Sequence, residues 1–294
     1  MVKVCHRRTT CRLCGGSHLS EVLSLAPTPP ATAFVSKDQL SEIQPTFPLD
    51  IFFCEDCHHV QLLDVVDPAV LFENYVYVSG TSPVFVKHFD DYATFVIDRY
   101  APAPASLVFD IGSNDGTLLK AFKKAGHKVL GVDPAKDIAA KATSEGIETI
   151  TGFFGADMAQ DIRTRHEPAS IITANNVFAH IDDLGGVLDG VGTLLADDGV
   201  FVFEVSYLVD VFEDTLFDTI YHEHLAYHAV GPLVKFMRAH EMELIGAERV
   251  SSHGGSLRAI AQKKNGPKPV SNSVADLVEL EQKMGLDRAE TYRE

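Results

Sequence analysis

From Ser106 onward the chain alternates short apolar runs with amphipathic stretches, and this alternation constrains its fold more than anything else in the text. Strands are expected at Leu107–Ile111, Lys128–Val132, Ile147–Ile150, Ser170–Ala174 and Val200–Val205. Helices are expected between them at Thr117–Ala125, Ala135–Thr143, Ala156–Thr164 and Asp183–Leu195. A strand, helix, strand rhythm of this kind gives a mostly parallel sheet with helices on both faces. Glu243–Val250 and Ser256–Gln262 then read as two strands joined by Ser-Ser-His-Gly-Gly, a hairpin closing the sheet with an antiparallel pair. Pro232–His240 precedes the hairpin as a helix.

The first of these strands runs into Val108-Phe109-Asp110-Ile111-Gly112-Ser113-Asn114-Asp115-Gly116. An acidic residue at a strand end followed by Gly-x-x-x-Gly and a helix places a ligand loop at the carboxyl edge of the sheet. Glycines there let a backbone approach the ligand closely. Asn114 occupies the second-glycine position of the dinucleotide pattern, so the loop is not the Gly-x-Gly-x-x-Gly that grips a pyrophosphate. It resembles the S-adenosylmethionine (SAM) loop of class I methyltransferases. That resemblance implies an α/β, Rossmann-like fold with a terminal antiparallel hairpin. Asp133, at the end of the next strand, stands about 20 positions on, where an acidic residue can take both ribose hydroxyls. Phe153 and Phe154 follow the third strand and read equally as adenine contacts or as core aromatics.

Upstream, residues 1–72 hold all five cysteines. Cys11 and Cys14 form one Cys-x-x-Cys pair, and Cys54 and Cys57 the other. Two such pairs supply four thiolates to one tetrahedral ion, so a closed structural zinc site is expected, with Cys5 left over. A redox pair is the lesser reading, because that motif normally opens a helix in a thioredoxin-like unit. His58 and His59 adjoin the second pair and read as residues after the knuckle. Phe47–Phe53 is expected to be a strand leading into Cys54. Residues 84–99 are expected to be helical, with Phe85, Phe89, Tyr92 and Val96 on one face. The organisation that follows is a zinc module over 1–72, a catalytic domain over 73–264, and a linker with a charged helix at Val274–Arg293 over 265–294.

Composition excludes some partners. Twenty-five basic residues against 41 acidic ones give a net charge of −16, the wrong sign for a nucleic-acid footprint. No long apolar run suggests a membrane span, and the N-terminus lacks a secretory signal, so a cytoplasmic protein is expected.

A dense titratable cluster, Tyr221-His222-Glu223-His224 with Tyr227 and His228, follows the fifth strand. It is not a His-Glu-x-x-His metal motif, since position 226 is alanine. Two histidines, a carboxylate and a phenol within four residues suit proton transfer near neutral pH. Asn175, Asn176, His180, Tyr75, Tyr77 and the His253–Ser256 turn fall where the fold would bring them near the same cleft.

Taken together, these motifs resemble one family. They run from the cysteine pairs through Tyr-x-Tyr-x-Ser-Gly, Asp-x-Gly-x-Asn-Asp-Gly and Asn-Asn-Val-x-Ala-His to Tyr-His-Glu-His and His-Gly-Gly-Ser-Leu-Arg. The chain resembles the bacterial sugar C-methyltransferases that act on nucleotide-linked 4-keto deoxysugars. The resemblance implies that a base removes the proton on carbon 3 and that the enolate takes the methyl group of SAM. It implies His224 as base, with Tyr77, His180, Tyr221 and Glu223 holding the sugar and stabilising the enolate. Asp110, Gly112, Asn114, Gly116 and Asp133 are implied as SAM contacts. Members of that family carry a further C-terminal α/β domain, and the present sequence reads as stopping in the helix that leads to it. Two rival readings stand beside this one: a SAM-dependent enzyme with another small-molecule acceptor, and a truncated module that binds zinc and SAM without catalysis.

Overall fold

The computed structural model describes residues 4–73, 75 and 77–293, apart from the side chain of His253. Val76, in the middle of Tyr-x-Tyr-x-Ser-Gly, lies outside the described residues, as does that histidine side chain. The N-terminal part holds β1 (Cys5–Arg7), β2 (Leu19–Thr28), β3 (Phe47–Cys54), β4 (Val60–Leu62), β5 (Asp64–Val66) and the short α1 (Pro68–Phe72). Then come α2 (Pro83–Tyr100), β6 (Leu107–Ile111), α3 (Thr117–Lys124), β7 (Lys128–Asp133), α4 (Lys136–Ser144), β8 (Thr149–Thr151) and α5 (Ala156–Arg165). The chain continues with β9 (Ala169–Asn175), α6 (Leu184–Leu194), β10 (Leu195–Ser206), α7 (Leu208–Glu213), β11 (Ala226–Tyr227) and α8 (Val230–Ala239). It ends with β12 (Met242–Val250), β13 (Ser256–Lys263) and α9 (Asn272–Lys283).

The central sheet has seven strands in the order β12-β13-β10-β9-β6-β7-β8. β6 through β10 pair in parallel, while β13 runs antiparallel to both β10 and β12. This is the expected sheet with its terminal antiparallel pair. Successive strands move outward in one direction from β6 to β8 and in the other from β9, so the order reverses between β6 and β9. A crevice opens at the carboxyl ends there.

Both faces of the sheet are covered, which explains why its strands read as continuous apolar runs. On one face Tyr92 and Val96 of α2 pack with Leu119, Phe122, Ile171, Val202 and Ile260. The expected face of α2 is the buried one. Ser82 caps its first turn by accepting from the Phe85 amide at 3.4 Å, and Pro83 follows at the first helical position. The other face continues without a break into the N-terminal module, since Leu49, Ile51, Phe53 and Leu62 belong to the same cluster as Phe178, Phe201 and Phe203. Each fully buried side chain of this size contributes about 1.5–3 kcal/mol.

The module's own sheet has the order β11-β4-β3-β2, antiparallel throughout. Its edge strand β11 comes from far downstream, beside the histidine cluster. Nothing local in the sequence marks that pairing.

The expected single helix over Val274–Arg293 is corrected. α9 stops at Lys283, and Gly285 takes φ +73°. A 3₁₀ turn at Ala289–Tyr292 then folds back on the module, where Tyr292 packs 5.8 Å from Phe53 between ring centroids. Glycine leaves the helical region at little steric cost, so a charged, periodic segment breaks there. The 265–273 stretch is ordered, with the Lys268 amide donating to Gln262 Oε1 at 3.0 Å and the Ser271 amide to the Ile245 carbonyl at 2.8 Å.

Candidate active site

The ligand loop leaves β6 at Asp110. Its carboxyl is buried and accepts from Thr173 Oγ1 of β9 at 2.6 Å. Burial pushes it up to about 7, against the Thr173 hydrogen bond. Gly112 takes φ +68°, and a Cβ there would lie 2.3 Å from Val177 Cγ2. Only glycine fits, so the loop can turn tightly against Val177 at this point. Gly116 takes φ +73° and leads into α3. Asp133 ends β7 and faces the loop, its Oδ2 accepting from the Asn114 amide at 2.8 Å and its Oδ1 from the Ala135 amide at 2.9 Å. The Ser113 hydroxyl is buried beside them without a partner. A tight glycine turn, a strand-end carboxylate and an orphaned hydroxyl fit a polar ligand at this edge. Phe154 packs on Phe109 at 5.2 Å, whereas Phe153 is 45% exposed and available to a ligand.

Asn114 turns its side chain away from that edge and ties the loop to the segment before α2. Its Nδ2 donates to the Tyr77 carbonyl at 3.0 Å, and its Oδ1 accepts from the Ser79 amide at 3.0 Å. Asp115 adds a bond from the Gly80 amide at 3.1 Å. Tyr77, Ser79 and Gly80 are therefore docked on the ligand loop.

From Tyr77 a file of rings runs to the histidine cluster. Centroids are 6.4 Å apart for Tyr77 and Tyr75, 5.7 Å for Tyr75 and Phe72, and 5.6 Å for Phe72 and His180. The file continues at 5.1 Å from His180 to His224 and 4.2 Å from His224 to Tyr221. His180 is held neutral, well below the usual histidine range, by burial and by His224. Burial and the Glu223 charge keep the Tyr221 phenol protonated.

His224 Nδ1 faces the Thr219 carbonyl at 2.8 Å, and its Nε2 faces the Tyr221 hydroxyl at 3.0 Å. A carbonyl can only accept, so the hydrogen-bond pattern assigns the proton to Nδ1 and the lone pair to Nε2. Glu223 is buried and accepts from Thr32 Oγ1 and from Tyr75. Burial raises its carboxyl, with those two bonds opposing.

The other histidines separate from this group. His222 is buried toward the N-terminal module, with Nε2 on the Phe47 carbonyl at 3.1 Å. His228 is buried, stacks on Phe178 at 5.5 Å, and is pushed down to about 4 by burial. His222 therefore lies apart from the stacked His180–His224 pair. Thr32, Phe72 and Thr219 were not legible as site residues, because each acts across the fold or through its backbone.

A second polar group went unmarked in the sequence. Glu204 of β10 bonds Arg258 Nε of β13 at 2.6 Å and His88 Nε2 of α2 at 2.7 Å. Arg258 lies over Tyr92 at 4.7 Å and Phe95 at 4.8 Å. Burial alone would raise the Glu204 carboxyl, but His88 and Arg258 outweigh it and hold it below the usual range. A charge inside each of two apolar strands was the available signal.

The four module cysteines converge. Their sulfurs all lie within 4.8 Å of one another, with Cys11 to Cys57 and Cys14 to Cys54 each 3.6 Å. Tetrahedral zinc with Zn–S of about 2.3 Å needs S···S of about 3.8 Å, so this donor set fits zinc. The hydrogen bond from Cys57 holds the Cys11 thiol below the ordinary thiol range. Cys5 stays outside the cluster. Four thiolates fill a tetrahedron and leave no position for a substrate, which makes the site structural.

Comparisons with known proteins agree with this geometry. Residues 11–72 match the family model of a zinc binding domain, residues 87–249 that of a methyltransferase domain, and residues 251–294 that of a C-methyltransferase C-terminal domain. The chain is 35% identical over 284 residues to the C-methyltransferase NovU of Streptomyces niveus, covering 97% of this chain and 68% of that protein. In fold it is similar to the PH0226 protein of Pyrococcus horikoshii OT3, with a TM-score of 0.51 at 14% identity over 64% of this chain and 95% of that one. Among the described residues no helix is long and apolar enough to cross a membrane. The chain belongs to the SAM-dependent C-methyltransferases that carry an N-terminal zinc-binding domain.

Proposed function

We propose that the protein methylates carbon 3 of a nucleotide-linked 4-keto deoxysugar, with His224 as the base. The observation that carries this reading is the file of rings from the ligand loop to a histidine whose tautomer is fixed, ending at a Tyr221–His224 pair with a lone pair on Nε2. A C-methylation needs a carbon nucleophile, and a carbon next to a ketone becomes one on losing a proton. His224 Nε2 takes that proton, while Nδ1–H stays on the Thr219 carbonyl.

Negative charge then develops on the ketone oxygen. On substrate binding the Tyr221 hydroxyl shifts its hydrogen bond from His224 Nε2 to the ketone oxygen and frees that lone pair, and Tyr77, Tyr221 and neutral His180, all held proton-bearing, stabilise the charge. Glu223, fixed by Thr32 and Tyr75, holds a sugar hydroxyl. SAM supplies a methyl group made electrophilic by its sulfonium. Asp110, Gly112, Gly116 and Asp133 form the edge that holds it, and Asn114 supports that edge by tying the loop to Tyr77 and Ser79.

The test is turnover of SAM with a panel of acceptors: 4-keto deoxysugars linked to nucleotides, their 4-hydroxy counterparts, and small phenols and amines. The expected result is methyl transfer to carbon only, and only with the keto sugars. Transfer to an oxygen or nitrogen acceptor with no keto-sugar product would overturn the proposal.

A further inference from the structure

Arg12 stands between Cys11 and Cys14, and its side chain is fully buried. A guanidinium is always charged at neutral pH. A buried cation is costly unless its donors are matched; Arg12 leaves its Nε without a partner but matches both terminal nitrogens, and what they match is informative. Its Nη1 donates to the Leu225 carbonyl. Its Nη2 donates to the Leu62 carbonyl at 2.9 Å and lies 3.4 Å from Asp182 Oδ1. Its backbone amide donates to Gln61 Oε1 at 3.1 Å.

Two of these partners adjoin the stacked histidines. Leu225 directly follows His224, and Asp182 stands two residues after His180. The two loops also meet directly, since the Ala179 carbonyl accepts from the Leu225 amide at 3.0 Å and the Ala226 amide at 3.1 Å. Just beyond, Ala226 and Tyr227 form β11 on the module's β4. Arg8 reinforces the junction by bonding Asp182 Oδ1 at 2.9 Å. The guanidinium therefore sits where the His180 loop, the His224 loop and the cysteine module come together.

We propose that Arg12 is a positioning residue that sets the spacing and tilt of the His180–His224 pair from within the cysteine knuckle. The planar fork of arginine reaches two carbonyls and a carboxylate in fixed directions. A lysine ammonium on its flexible stem does not reproduce that arrangement. The module thereby acts on the chemistry, beyond supporting the fold. The activity part of this inference rests on His224 being the base.

The test uses the full-length, zinc-loaded chain with Arg12→Met and Arg12→Lys. Zinc content, SAM affinity by calorimetry and thermal unfolding are measured first. The ring signals of His180 and His224 are then followed by NMR with 13Cε1-labelled histidine, assigned with His180→Gln and His224→Asn. Turnover is measured with whichever keto sugar nucleotide the parent accepts.

Both variants are expected to keep one zinc per chain and to bind SAM within about twofold of the parent. The two histidine signals are expected to move, with the His180 midpoint rising toward the ordinary value of about 6.5. In Arg12→Met, kcat is expected to fall by about 10–100-fold with little change in KM, the cost of a displaced reacting group. Arg12→Lys is expected to recover only a small part. Parent-like histidine signals and parent-like kcat in a folded, zinc-loaded variant overturn the proposal. Should Arg12→Met fail to fold, the same readings on Arg12→Lys decide. Should the parent turn over no keto sugar, the proposed function fails, and the histidine signals alone decide this one.

Discussion

Asp110 makes the apo protein less stable as pH rises, and the size of the effect can be worked out. Its carboxyl is buried at the end of β6 with one hydrogen bond, from Thr173, and sits near about 7 against 3.8 for an exposed aspartate. Between those values the unfolded chain has released a proton that the native state keeps. The unfolded state then binds fewer protons, so stability falls with rising pH across that window and levels off above it. A rise of about three units corresponds to at most about 4 kcal/mol, and the part between pH 5 and pH 7 to about 2–3 kcal/mol. Asp110→Asn removes the titration while its side-chain oxygen still accepts from Thr173. The assay is urea unfolding of parent and variant at pH 5, 6, 7 and 8, zinc present and SAM absent. The variant's stability relative to the parent should grow by about 2–3 kcal/mol from pH 5 to pH 8. A difference that is flat with pH, or that shrinks, would refute the burial argument.

Further consequences follow from the same geometry. Asp133→Ala removes the acceptor of the Asn114 and Ala135 amides. It should weaken SAM binding by about 1–3 kcal/mol, measured by calorimetry. Binding of NAD in preference to SAM would contradict the assignment of this loop. Replacing Cys54 and Cys57 together with serine should abolish the one zinc per chain found by elemental analysis. It should also lower the unfolding temperature, because metal binding in such a site is folding free energy. An unchanged melt in metal-free protein would count against a structural zinc.

The catalytic half of the fold was legible in the sequence because its signals are local. β6 and β9 are buried on both faces and read as apolar runs, and α2 showed its buried face through Phe89, Tyr92 and Val96. The cysteine pairs announced their site through spacing alone. The N-terminal sheet was mostly hidden. β2 is largely exposed and lacks a clean alternation, and β11 is two residues long and pairs with β4 across most of the chain.

The histidine cluster could be located but not resolved. His222 and His224 are two residues apart, yet one is fixed on the Phe47 carbonyl and the other stacks on His180. Which way each side chain points depends on contacts with residues more than 40 positions away. Glu223 shows the same limit, since its partner Thr32 lies 191 residues upstream. The closing segment was misread as one helix because its charged pattern continues past Gly285.

The central claim is tested most directly by methyl transfer from labelled SAM to the carbon of a keto sugar nucleotide, comparing the parent chain with His224→Asn. Losing a general base typically costs roughly 10²–10⁴-fold in rate. The account predicts a loss of that size, with SAM affinity unchanged because His224 is assigned to the acceptor's proton and takes no part in holding SAM. Near-normal methyl transfer by His224→Asn would contradict it.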